Sequence, residues 1–171
     1  IEGVARAVNA DGTVLVMGKR VPLLVWVGRT YREGLENLVN STLRLRGVMS
    51  LELFGNPALL VPSRGFIEVV EPAPELPAKP VPVNSLIDSG SENGWSHQVK
   101  VAGTVIYRSD RYFYLQDESG GVRIELHNEP PSHVGTTVEA VGFPGTENSA
   151  ARLTDTTWRP LETSQTLEPA T

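Results

Sequence analysis

The chain of 171 residues contains no cysteine. That excludes disulfides, thiol nucleophiles and zinc–thiolate centres together. Histidine is nearly as scarce, with three copies, and aromatic residues make up 6%. No apolar run approaches the roughly 18 residues that a membrane-spanning helix needs. The phosphate-cradling and dinucleotide-binding glycine motifs are missing, as is the G-x-S-x-G elbow of serine hydrolases. Positive charge is not in excess either: 15 Lys and Arg stand against 20 Asp and Glu, for a net charge of −5 and a pI near 5.2. This disfavours a dedicated nucleic-acid coat protein, whose affinity comes from clustered cations that release counterions. The sequence starts at Ile1 with no leader of charged, apolar and small residues, and is expected to be part of a longer or processed chain.

Charge and proline divide what remains. Residues 1–70 carry eight basic and six acidic side chains, residues 71–97 one and four, and residues 98–171 six and ten. Between Glu71 and Pro82, five of twelve residues are proline, a density that favours an extended polyproline II strut. The expected organisation is a first domain over 1–70, open to truncation at its start, and a Pro-rich linker and lead-in over 71–97. A second domain over 98–161 and a polar tail over 162–171 follow. A short helical turn is expected at Val83–Asp88.

The second half alternates with period 2, the signature of half-buried strands. Val99, Val101, Gly103, Val105 and Tyr107 share one face of the first strand. Phe113 and Leu115 then alternate with Tyr112, Tyr114 and Gln116. Asp117-Glu118-Ser119-Gly120-Gly121 supplies a turn, and Val122, Ile124 and Leu126 point inward. Pro130–Val134 breaks the pattern and has room for one helical turn, Val138–Gly142 resumes it, and Ala150–Pro160 gives a fifth strand. Gly103 and Gly142 fall mid-strand, where glycine marks a bend or bulge.

The first half repeats the scheme. Strands are expected at Val4–Asn9, Thr13–Gly18 and Val21–Gly28, the last with Val21, Leu23, Val25 and Val27 inward. A helix is expected over Tyr31–Val39, then strands around Leu43–Gly47, Asn56–Val61 and Arg64–Val70. Ser41–Gly47 aligns with Thr136–Gly142 at an offset of 95. The expected fold is therefore all-β, with one short helix per domain, as two small five-stranded Greek-key barrels in tandem.

That element order resembles the OB-fold. The likeness rests on the run from Tyr112 to Ile124 (YFYLQDESGGVRI), the preceding strand VKVAGTVIY at Val99–Tyr107, and VEAVGFPG at Val138–Gly145. Together they resemble tandem OB-type modules in the extracytoplasmic parts of bacterial membrane-anchored sensor proteins of the histidine-kinase type. The first domain departs from the pattern, with a shorter hairpin and no Asp-x-x-Gly-Gly turn. The resemblance implies a periplasmic or extracellular, non-catalytic sensory module of a larger protein, with no membrane contact of its own.

On an OB barrel the ligand lies across strands 2 and 3; a ligand or protein partner is expected on that face or in the cleft between the two domains, changing their relative pose. The strand 2–3 face should include Arg108, Arg111, Tyr112, Tyr114, Gln116 and Arg123, a set able to stack bases or sugars. Asp110, Asp117, Glu118 and Glu125 stand among these arginines and repel phosphate, which leaves single-stranded nucleic acid as the alternative to a small ligand or protein partner. In the first domain Lys19, Arg20, Arg29, Tyr31, Arg32, Arg44 and Arg46 add basic groups. Leu15, Met17, Leu24 and Trp26 form an outward apolar row, expected to meet the other domain or a partner. No metal site or cofactor is expected: His127, Glu129 and His133 flank a Pro-Pro pair at no recognised ligand spacing. Asp117 and Glu118, adjacent on the chain, point to opposite faces and cannot flank one bond. Catalysis is not expected.

Overall fold

The computed structural model describes residues 1–18, 21–28, 33–50, 57–89, 97–126 and 129–161. Two separate hydrophobic interiors form within them. One is built from residues between Ala5 and Ile67, the other from residues between Val81 and Trp158.

The second barrel is the more regular. Its strands are β8 (Val99–Arg108), β9 (Tyr112–Gln116), β10 (Gly121–Leu126), β11 (Thr137–Glu147) and β12 (Ala150–Pro160). They close in the order β10-β12-β11-β8-β9. β10 runs parallel to β12 while every other neighbour is antiparallel. This is the OB topology. Val101, Val105, Phe113, Leu115, Val122, Ile124, Val138, Ala140 and Leu153 fill the interior, each at most 1% exposed.

The first barrel reaches the same topology with two broken strands. β1 (Glu2–Val8), β2 (Thr13–Met17), β3 (Pro22–Val27), β4 (Thr42–Leu45), β5 (Val48–Ser50), β6 (Ala58–Val61) and β7 (Ile67–Glu71) form one curled sheet, ordered β5-β6-β3-β2-β1-β4-β7. β4 and β5 are one strand interrupted at Arg46 and Gly47, and β6 and β7 are another interrupted by a 3₁₀ turn at Arg64–Phe66. The Arg46 N–H donates to the Phe66 carbonyl at 3.0 Å and carries the β4–β7 ladder past Leu45. Counted this way there are five strands, with β3 parallel to β6 as β10 is to β12.

Both barrels coil tightly at the same place. A Cβ on Gly3 or on Gly103 would overlap the carbonyl of the last residue of the next strand, Met17 or Gln116. Each glycine is followed by a register shift, between Ala5 and Ala7 in β1 and between Val105 and Tyr107 in β8. Missing side chains let the strands approach, and the bulges add the twist that closure needs. The bulge corrects one sequence expectation: Tyr107 leaves the inward row of Val101 and Val105 and is 49% exposed.

Among the described residues, α-helix appears in only one of the three expected places. Over 33–39 the described residues hold a 3₁₀ turn at Glu36–Leu38. Gly34 has a φ of +74° and Asn40 one of +69°, so left-handed backbone stops a longer helix at both ends. Leu35 and Leu38 are still buried, since i, i+3 spacing also places residues on one side of a 3₁₀ turn. Pro130–Val134 holds turns and bends among its described residues rather than helix. Val21, expected inward, is 65% exposed because it belongs to the turn before β3.

The single α-helix among the described residues, α1 (Ser85–Ser89), precedes β8 and docks on β11 and β12. Val83 and Leu86 are each 1% exposed within the second core. The lead-in is tied down by Val81 N–H to the Lys100 carbonyl, Val83 N–H to the Asp117 carboxylate at 2.9 Å, and Asn84 N–H to the Ser119 hydroxyl.

Candidate functional site

The exposed face of β8, β9 and β10 carries an aromatic cluster. Cross-strand pairing sets Tyr107 opposite Tyr114 and Tyr114 opposite Arg123. Ring centroids of Tyr107, Tyr112 and Tyr114 lie 5.8–6.0 Å apart, with the Tyr107–Tyr112 planes 28° from parallel and Tyr112–Tyr114 edge-to-face. The Tyr112 phenol, through its charge and a hydrogen bond, raises the pKa of Tyr107 above its ordinary value.

Alongside the rings runs a band of paired charges. The Arg123 guanidinium sits 4.3 Å from the Tyr112 ring centroid and pairs with Glu147 at 3.2 Å and Glu125 at 3.7 Å. The parallel β10–β12 register puts Arg152 opposite Arg123. Arg152 reaches Glu125 at 3.5 Å and Glu147 at 3.9 Å. Tyr114, Arg123, Glu147, Asn148 and Arg152 line a depression of about 200 Å³.

Of the six sequence candidates, Tyr112, Tyr114 and Arg123 come together. Gln116 continues the row at the exposed end of β9. Arg111 is exposed in the β8–β9 turn, where its carbonyl accepts the Leu126 N–H. Arg108 lies apart: its guanidinium donates to the Ser132 carbonyl at 2.6 Å. It lines a second, wide cleft of about 1070 Å³ with Asp110, Glu129, Pro130 and Trp158. The Trp158 indole N–H donates there to the Glu129 carbonyl. Lys19, Arg20, Arg29, Tyr31, Arg32 and His127 lie outside the described residues. Asp117 serves structure: its carboxylate accepts from Val83, Ser119 and Gly120.

Sequence reasoning missed Tyr107, hidden by the bulge, and Arg152 with Glu147, brought in by non-local pairing. It also missed the seam between the barrels. Arg6, in the bulge of β1, lies 4.9 Å from the Phe143 ring centroid and donates to the Thr154 hydroxyl at 3.2 Å. Burial lowers the pKa of Arg6, partly offset by Asp155, with Arg152 lowering it further. The seam therefore adjoins the charged band. At a second point Asn40 meets the lead-in to β8, with His97 Nδ1 2.9 Å from the Asn40 carbonyl and Gln98 N–H donating to its side chain at 2.8 Å. Leu15, Met17, Leu24 and Trp26 are each half-buried on the outer face of β2 and β3. That face is the counterpart of the tyrosine face: the row Ala7–Leu15–Leu24 matches Tyr107–Tyr114–Arg123 strand for strand.

Among the described residues no helix is long and apolar enough to cross a membrane, and no three or more His, Asp or Glu gather as a metal site. No protein-family model matches the chain, and no curated protein matches it. Among solved structures it is similar to the hypothetical protein ygiW from E. coli, at 19% identity and a TM-score of 0.40 over 51% of this chain and 96% of that one. It is also similar to the tetrameric p202 HIN2, at 14% identity and a TM-score of 0.35 over 94% of this chain and 92% of that one. The strand pairings themselves carry the conclusion: the chain folds as OB-type barrels.

Proposed function

We propose that the chain is a non-catalytic binding module of a larger, extracytoplasmic bacterial signalling protein. Its ligand or protein partner docks on the β8–β10 face of the second barrel. The observation that carries this reading is the Tyr107–Tyr112–Tyr114 cluster, with Tyr107 and Tyr114 exposed and Tyr112 half-buried, next to the seam held by Arg6. Ligand at the face reaches Arg152, two positions along β12 from Thr154, so occupancy biases how the barrels sit against each other. A ligand shifts that balance only by binding the two poses differently.

The test is an NMR screen of the full chain against metabolites, glycans, peptides and short oligonucleotides, with scattering on any complex. Binders should perturb Tyr107, Tyr114 and Arg123 first and Arg6 with them. Arg6→Ala should widen the distribution of inter-barrel distances while both barrels stay folded. Binders that perturb only the wide cleft beside Trp158, or an unchanged inter-barrel distribution in Arg6→Ala, would refute the reading.

The second reading, single-stranded nucleic acid, draws on the same rings, since bases stack on tyrosine at about 1–3 kcal/mol each. The ion pairs oppose it, because Arg123 and Arg152 are already held by two carboxylates. Salt-sensitive oligonucleotide binding that is lost in Tyr112→Ala and Tyr114→Ala would put this reading in place of the first.

A further inference from the structure

The Pro-rich strut between the barrels is held at its ends and bare in its middle. Ala73 N–H donates to the Ser41 hydroxyl at 3.1 Å, and Val81 N–H donates to the Lys100 carbonyl at 2.8 Å. Among the described residues no hydrogen bond or ion pair holds residues 74–80, and every residue from 71 to 80 is exposed. Each proline fixes its own φ and biases the residue before it to extended backbone, so the strut has little entropy left to lose on docking. Polyproline II turns once in three residues, which sets Pro74 and Pro77 on one side. That P-x-x-P spacing is the one aromatic-lined grooves read. Lys79, the sole Lys or Arg between residues 71 and 97, follows at a bend.

A groove that matches it lies on the second barrel. The wide cleft of about 1070 Å³ exceeds the roughly 300–1,000 Å³ of a drug-sized pocket and has room for several residues of chain. Its aromatic wall is Trp158, half-buried and locked in place. The ring meets Phe113 edge-on at 6.3 Å between centroids, and the Glu129 carbonyl takes its N–H. Pro130 lies beside it, and Asp110 and Glu129 are exposed acids with no ion pair among the described residues. Arg108 keeps N–H donors beyond the one given to Ser132. The charges of the strut answer these: Lys79 suits the two carboxylates, and Glu75 suits Arg108. No chain can fill its own cleft this way. The strut is pinned at Lys100, and Arg108 stands at the far end of the same strand, about 26 Å away at about 3.3 Å per residue. We infer that the cleft takes the strut of a second copy of this chain, with Pro74 and Pro77 against Trp158 and Lys79 between Asp110 and Glu129. Strut and cleft are different patches, so the contact is heterologous and adds copies head to tail. The tyrosine face stays open, so this inference and the ligand site there stand or fall separately.

A single strut makes an interface of the small, weak class below about 1,200 Å², so sedimentation velocity on the full chain must run from about 10 µM to about 1 mM. Wild type should pass from monomer to larger species across that range. Lys79→Glu, and separately Asp110→Lys with Glu129→Lys, should each weaken association at least about tenfold, since like charges then face each other across the contact. Mixed in equal amounts, the two variants should associate again. Each reversed strut then finds a reversed cleft, and each native strut a native one. A synthetic peptide of residues 71–82 should break up the wild-type species and shift the Trp158 indole signal in NMR, identified by its loss in Trp158→Phe. A wild-type chain that stays monomeric throughout overturns the inference. So does association that the charge reversals leave unchanged or that mixing fails to restore. If the peptide binds at Trp158 while the chain stays monomeric, the cleft takes a Pro-rich segment of another protein, and the second copy is the wrong occupant.

Discussion

Two neighbouring residues of similar size in α1 should behave in opposite ways when truncated. Leu86 is 1% exposed and belongs to the core of the second barrel, whereas Ile87 is 47% exposed. A five-residue helix has no stability of its own in water, so α1 exists because Val83 and Leu86 are buried. Fully burying such a side chain contributes about 1.5–3 kcal/mol, and Leu→Ala in a packed core costs about 2–5 kcal/mol once the cavity is included. The upper part of that range is out of reach. If the cavity became too costly the segment would undock and regain about 1–2 kcal/mol of backbone entropy per residue freed, leaving the other contacts of the lead-in to be lost. An expectation of about 2–4 kcal/mol for Leu86→Ala follows, against less than about 0.5 kcal/mol for Ile87→Ala. For a domain of this size 1 kcal/mol moves the midpoint by about 4–8 °C, so Leu86→Ala should lower the melting of the second barrel by on the order of 10–30 °C. Calorimetry on the whole chain, with hydrogen exchange at Val83 and Leu86 to mark which barrel melts, gives the comparison. Equal losses in the two variants, or a Leu86→Ala effect confined to the first barrel, would show that α1 is not part of this core.

Two further outcomes concern Asp117 and the glycines of the second barrel. Burial raises the Asp117 pKa, but hydrogen bonds from Ser119, Val83 and Gly120 outweigh it, so the carboxyl sits below its ordinary value. A depressed folded-state pKa contributes stability above the unfolded value of about 3.9 that is lost as pH falls through the folded value. Wild type should therefore lose urea resistance below about pH 4 more steeply than Asp117→Asn, and parallel profiles would refute this. Gly103→Ala must push the Gln116 carbonyl aside, while a Cβ on Gly145 meets only the Arg152 side chain at ordinary contact distance. Circular dichroism melts should show a cost of about 1–3 kcal/mol or more for the former and near neutrality for the latter; a tolerated Gly103→Ala would disprove the tight approach.

What the sequence made legible was local. Alternation over Tyr112–Leu126 and the Asp117–Gly121 turn located the central hairpin of the second barrel to within one residue, Gly121 opening β10 instead of closing the turn, because side-chain parity and turn chemistry are decided within a few positions. Parity failed where the backbone slips. The shift between Val105 and Tyr107 turned a tyrosine outward, and the sole local sign of it was Gly103, two residues before Val105. The helix expected before Val39 shortened to a 3₁₀ turn because Gly34 and Asn40 adopt left-handed backbone, which hydrophobic spacing does not register. The charged band was out of reach for another reason. Arg123 meets Arg152 through parallel pairing across 29 residues of sequence and Glu147, 24 residues away, through the β11–β12 hairpin beside it, and no periodicity within any one strand encodes that. Arg6 at the seam was hidden in the same way, as a lone arginine in a strand of small and branched residues.

Tandem copies of one fold run a hazard during synthesis, since strands of one can pair with the complementary strands of its neighbour. The broken strands of the first barrel bear on this. Its fourth and fifth strands come as pieces of three to five residues, whereas β11 and β12 each run unbroken for eleven. A β11 that strayed onto the first barrel would find its ladder cut partway along, with several amides left over, and a stray β4 would cover less than half of the strand it replaced. Unequal lengths thus act as keys cut for different locks, sorting each nascent strand to its own barrel before any side chain is read.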